Sequence, residues 1–235
     1  MASVPIPRHT VVVRVTHWIT ALCFLTLLLS GVEILISHPR FYWGEAGNVL
    51  TPPLFGLPIP ASRGIVKTGY KFVLPDQNGW SRSMHFQSAW LVVFTGAMYF
   101  LGGLASGHFR RNLIPGKADL SWHAMNAVLS KHLRFERGAD GASYNALQKL
   151  SYAVVVFVLF PLVIWTGLAM SPAFVSAVPA AVTFLGGQQS ARTIHFFVSI
   201  ALVLFFAVHV TMVWLAGFGS RMRAMITGRS VAQQE

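Results

Sequence analysis

Four stretches of this chain are almost wholly apolar: residues 15–37, 84–106, 148–170 and 193–216. Each has about the twenty residues that an α-helix needs to cross a hydrocarbon core. None alternates apolar with polar at every second position, and an isolated strand would leave its backbone unsatisfied in lipid. Polar segments separate the runs, and two of them are long, at 38–83 and 107–147. The pattern predicts an all-α integral membrane four-helix bundle, read as a single domain over residues 1–235.

Composition supports this. Only 11% of the 235 residues are charged and 54% are hydrophobic, whereas a soluble domain carries about 25% charged residues. An even number of spans puts both termini on one side. That side carries Arg8, Arg14, Arg110, Arg111, Lys117, Lys131, Arg134, Arg137, Lys149, Arg221, Arg223 and Arg229, twelve basic residues against six on the other. The bias predicts both termini in the cytoplasm of a bacterial inner membrane, with 38–83 as a long extracytoplasmic loop. The net charge of +11 is thereby assigned to topology and anionic lipid headgroups rather than to nucleic acid. Cys23, the single cysteine, cannot form an internal disulfide and is expected to be a small packing residue. The first run is too long for a signal-peptide core and is expected to be a retained span.

The extracytoplasmic loop is rich in Pro, Gly and aromatics, including Phe41-Tyr42-Trp43. It suits either a docking surface for a partner or a cap over the helices. In the cytoplasmic loop, Leu120, Trp122, Met125, Val128, Leu129 and Leu133 recur at roughly helical spacing beside Lys131, His132 and Arg134, which predicts an amphipathic segment at the interface. Pro161 is expected to kink the third span. Gly31, Gly96, Gly102, Gly103 and Gly167 serve either helix packing or room for a flat macrocycle.

The chemistry-bearing residues are histidines. His195 and His209 lie fourteen residues apart in the fourth run. That is close to four helical turns, so both project from nearly one face, roughly 21 Å apart along the axis. His17 opens the first span and His85 the second. With antiparallel spans, depth pairs His85 with His195 near the outer surface and His17 with His209 near the inner one. Ionisable groups inside a membrane are costly and mark function, and neutral imidazole is an axial ligand of haem iron. Each pair suits one six-coordinate haem, a state that favours electron transfer over oxygen chemistry. Arg14, Arg82 and Arg192 each precede one of these histidines by three residues. They sit one turn nearer the surface, where bidentate arginine suits haem propionates. Zinc is disfavoured because no compact ligand cluster exists. A non-haem scaffold or transporter is the rival from another class, but Glu33 is the lone carboxylate within a span.

These residues carry a resemblance. A histidine opening span one, one opening span two and the pair in span four are similar to the bacterial di-haem cytochrome b561 superfamily, which includes the cytochrome b subunits of formate dehydrogenase-N, nickel–iron hydrogenase and thiosulfate reductase. The stretch Asn145-Ala146-Leu147-Gln148-Lys149 resembles the Asn-Ala-Gly-Gln-Lys stretch that lines the quinone site of the formate dehydrogenase subunit, with Leu147 in place of glycine. Asn78-Gly79-Trp80, Arg82-Ser83-Met84-His85-Phe86-Gln87 and Gly107-His108-Phe109-Arg110-Arg111 look most like the thiosulfate-reductase-type group.

The resemblance implies a membrane electron-transfer subunit with two haem b groups and quinone as substrate, its quinone site at Asn145 and Gln148. It implies an extracytoplasmic redox partner of molybdopterin type, sulfite-oxidase-like or thiosulfate-reductase-like. Substrate chemistry is then expected in the partner rather than in this chain. Short superfamily members also resemble a stand-alone quinone-coupled superoxide oxidase, and the long outer loop favours the docking role over that one.

Overall fold

The computed structural model describes residues 9–48, 50–59, 77–116, 130 and 146–228. Among them, four helices are long and apolar enough to cross a membrane: α1 (Val11–Ser37), α2 (Gln77–Ala105), α3 (Ala146–Leu168) and, beyond two short helices α4 (Pro172–Ala177) and α5 (Pro179–Thr183), the long α6 (Gln188–Leu215). The helix α7 (Phe218–Thr227) follows. The predicted all-α membrane fold is what these elements form.

Three of the spans begin several residues before the apolar runs do. The turns carrying Arg14, Arg82 and Arg192 are already helical, because a helix crossing an interface continues past the hydrocarbon boundary where polar side chains still reach water. Large apolar side chains stay exposed along every span, among them Leu22, Leu29, Phe94, Leu101, Val158 and Leu204. Lipid is their solvent.

Pro161 has a local consequence. A π-helical turn, Val155–Leu159, ends two residues before it within α3. Proline has no N–H to return to the carbonyl four residues back, and widening the helix by one residue is a standard way of absorbing such a defect.

Two compact units emerge from the contacts. The first comprises residues 1–17, 97–161 and 201–235. Here Gly102 lies against Val12, where an added Cβ would come within 3.3 Å of Val12 Cγ1, and the ring of Phe109 lies on Gly103. Phe109 also meets Tyr99, Phe100 and Phe157 at centroid distances of 5.4, 5.7 and 5.1 Å. These two glycines therefore serve packing. His108 is half-buried in this cluster, 5.9 Å from the Tyr99 ring. Burial, reinforced by the Arg111 charge, holds its pKa below the usual imidazole value.

The second unit comprises residues 18–96 and 162–200. Cys23 is buried here as a free thiol, as its packing role requires. A small core of Ala169, Val182, Leu185 and Ala191, flanked by Trp165 and Ile194, joins α3, α5 and the start of α6. Residues of the 38–59 segment form a hairpin that the sequence analysis did not foresee. β1 (Arg40–Phe41) pairs antiparallel with β2 (Phe55–Gly56), Phe41 opposite Phe55.

This hairpin caps α6. The first N–H groups of a helix have no internal partner. Here Gly44 O accepts from Gln189 N at 2.9 Å and Ser190 N at 3.3 Å, and Glu45 Oε2 accepts from Gln188 N at 3.3 Å. The Glu45 carboxylate thus sits at the positive end of the helix dipole. Gly187 permits the approach, since its φ is +109° and a Cβ there would lie 2.5 Å from the Gly44 backbone. Thr193 Oγ1 donates to Tyr42 O at 2.7 Å. Of the two roles expected for the loop, residues 38–59 make the contacts of a cap, while Trp43, Leu50 and Leu54 stay exposed. The amphipathic cytoplasmic segment, Leu120 to Leu133, falls outside the described residues apart from Ser130.

Candidate haem-binding site

In the second unit α2 presents His85 and α6 presents His195, with ring centroids 6.3 Å apart and planes inclined by 60°. In the first unit α1 presents His17 and α6 presents His209, also 6.3 Å apart, inclined by 54°. The depth pairing read from the sequence is therefore the pairing the helices make.

The separation has a chemical meaning. An imidazole nitrogen bonds a transition metal at about 2.0–2.1 Å. With a ring radius of about 1.1 Å, two imidazoles on opposite sides of one metal have centroids about 6.3 Å apart. The donor set agrees. Among the described residues, no group of three or more His, Cys, Asp or Glu could hold a bare metal ion. Two imidazoles suffice only where the remaining ligands come from a macrocycle, as in haem.

The His85–His195 pair is held by hydroxyls that the sequence analysis missed. Ser30 Oγ on α1 lies 3.0 Å from His85 Nδ1. Thr166 Oγ1 on α3 lies 3.0 Å from His195 Nδ1. Each hydroxyl already donates its proton down its own helix, Ser30 to Thr26 O at 2.7 Å and Thr166 to Leu162 O at 2.8 Å. The oxygens are thus acceptors, and the ring nitrogens facing them donate. This hydrogen-bond pattern assigns the Nδ1–H tautomer to both histidines, which leaves Nε2 with the lone pair a metal needs. The residues following these hydroxyls are Gly31 and Gly167. A Cβ at Gly31 would lie 3.6 Å from His85 Cε1, and one at Gly167 would lie 3.4 Å from His195 Cε1. The glycines let the rings lie against the helix backbones. Each histidine faces a hydroxyl–glycine pair, Ser30-Gly31 or Thr166-Gly167, but Thr95-Gly96 in the second span is the same pair, so the pattern alone does not mark these contacts.

His209 is walled by aromatics. Phe205, one turn earlier, stacks on it at 5.7 Å and 20°. Tyr152 of α3 meets it edge-on at 6.3 Å. Gln148 lies one turn before Tyr152 on α3, half-buried, so it shares the helix face that reaches His209. Asn145 lies outside the described residues.

The three arginines differ. Arg14 donates from Nη1 to Ile226 O at 3.0 Å, beside Gly228, whose φ of +79° ends α7. Arg192 donates from Nη2 to His38 O, and its guanidinium lies 5.1 Å from the centre of the Phe41 ring. It ties the end of α1 and the hairpin to α6. Arg82 is exposed on α2.

A membrane protein of four apolar helices, with two facing imidazole pairs each set at the spacing of a bis-imidazole metal site, is the framework of a b-type cytochrome. The family model of prokaryotic cytochrome b561 matches residues 8–228, and the chain belongs to that family. It is also similar to YedZ1 of Azospira oryzae, named as a protein-methionine-sulfoxide reductase subunit, with 30% identity over 213 residues that cover 88% of this chain and 90% of the relative. No solved structure gives a significant match. The protein is thus a multi-pass membrane subunit that binds haem b and transfers electrons.

Proposed function

We propose that the chain holds two b-type haems and carries electrons between the membrane quinone pool and an extracytoplasmic oxidoreductase. His85 and His195 hold the outer haem, and His17 and His209 hold the inner one. The observation that carries this reading is the 6.3 Å centroid separation in both histidine pairs. Haem held between two imidazoles at each site would supply a one-electron carrier suited to electron transfer.

The chain's own residues do the positioning. Ser30 and Thr166 set the tautomers of the outer pair. Phe205 and Tyr152 pack the inner imidazole against apolar surface, which limits water and lowers the local dielectric. Gln148, together with Asn145, offers both donors and acceptors to a quinone carbonyl on the cytoplasmic side. Arg14, Arg82 and Arg192 lie one turn from three of the ligands, where propionates need cationic partners. The twelve-to-six bias of basic residues supports an inner-membrane topology with cytoplasmic termini.

The likeness to a methionine-sulfoxide reductase subunit supports a partner of molybdopterin type that reduces sulfoxides. The balance is simple. A quinol gives up two electrons and two protons on becoming a quinone. A sulfoxide takes up two electrons and two protons on becoming a thioether and water. Electrons then flow outward from the quinone pool.

Changing Asn145 and Gln148 together to Leu tests the quinone assignment. Reduction of the protein by quinol should slow at least tenfold, the cost of about 1.4 kcal/mol in lost hydrogen bonds. The visible spectrum and reduction by dithionite should not change. Unaltered quinol kinetics would place the quinone elsewhere.

A further inference from the structure

The two hydroxyls behind His85 and His195 form a matched device. Ser30 on α1 and Thr166 on α3 are both fully buried, each 3.0 Å from the Nδ1 of its histidine. Each is also the residue before a glycine that lets the ring lie on the helix. Two different spans thus supply the same support: a carbonyl one turn back, a hydroxyl that donates to it, and an imidazole N–H that the hydroxyl accepts together with a neighbouring backbone carbonyl, Leu27 O for His85 and Val163 O for His195. In hydrocarbon, a serine or threonine that has satisfied its own proton by back-bonding needs no further partner. Its lone pair remains free to polarise an imidazole.

We propose that Ser30 and Thr166 are the positioning residues that set the potential and the retention of the outer haem. The inference rests on the outer-haem reading of His85 and His195. A hydrogen bond drawn from Nδ1–H makes the imidazole a stronger electron donor through Nε2. Stronger donation favours the oxidised iron over the reduced one. Because the imidazoles of His85 and His195 receive the same support, the two effects would act in one direction and lower the outer potential together. Both hydroxyls are fully buried, so each bond acts in a low-dielectric interior.

The test uses the full-length protein in detergent, with redox titration followed at the visible bands. Ser30→Ala and Thr166→Val remove the hydroxyls and preserve volume. Each should raise the outer component's midpoint, with the ratio of reduced to oxidised haem at fixed potential increasing by about tenfold, or ~59 mV for one electron. The rate at which the outer haem is lost to apomyoglobin should rise about 10- to 100-fold. Ser30→Thr and Thr166→Ser, which restore the hydroxyl, should return both values towards wild type. The inner component should not move in any of the four.

An outer midpoint unchanged in Ser30→Ala and Thr166→Val would overturn the inference while leaving the outer haem itself established. So would equal losses in the hydroxyl-free and hydroxyl-bearing variants, because packing rather than hydrogen bonding would then be the cause. A wild-type protein without a second low-spin component would instead overturn the outer-haem reading on which the inference stands.

Discussion

His195→Ala should remove one low-spin haem component, about half of the haem absorbance in a di-haem protein, and leave the other at full amplitude. His85→Ala should remove the same component. His17→Ala and His209→Ala should each remove the other one. The expectation follows from geometry: each centroid pair is 6.3 Å apart, so losing one imidazole leaves one ligand where two were needed. The two pairs lie in different compact units and share no ligand, so their losses should add independently. Reduced-minus-oxidised spectra of the four single variants check this. If His85→Ala and His17→Ala abolished the same component, the pairing would be wrong.

The second large effect is steric. A Cβ at Gly167 would lie 3.4 Å from His195 Cε1 and 3.7 Å from Nδ1, which is ordinary contact. Gly167→Ala should therefore keep both haems, and the helix should gain up to about 1 kcal/mol in propensity. Gly167→Leu adds a branched chain where the imidazole lies. The ring or the helix must then shift, and overpacking of this kind costs about 1–3 kcal/mol. Gly167→Leu should release the outer haem about 5- to 150-fold faster than wild type, the equivalent of that cost, with helical circular dichroism retained. An unchanged release rate in Gly167→Leu would show that the ring is not held against α3.

What the sequence made legible follows from how strongly lipid constrains a chain. Four apolar runs admit few structures other than four helices, and the histidines stand out because an ionisable side chain in hydrocarbon is expensive. Their depth alone paired His85 with His195 and His17 with His209. The structure separates the glycines into kinds that composition cannot: Gly102 and Gly103 pack against Val12 and Phe109, whereas Gly31 and Gly167 face imidazoles.

Other features were hidden for physical reasons. Serine and threonine are common in membrane helices, where they usually bond their own backbone. Ser30 and Thr166 do this as well, so nothing in their sequence context marks the second bond to histidine. The hairpin was invisible because β1 and β2 are two residues each, too short for a periodic signal. It depends on long-range hydrogen bonds to α6. Arg14 and Arg192 were read from spacing as propionate partners. Their observed bonds to Ile226 O and His38 O are contacts across the fold that helical spacing does not encode.

The most direct test of the account is haem stoichiometry. Pyridine haemochrome analysis of the purified full-length protein, set against polypeptide from amino-acid analysis, should give two non-covalent b-type haems per chain. A value of one or zero would contradict it.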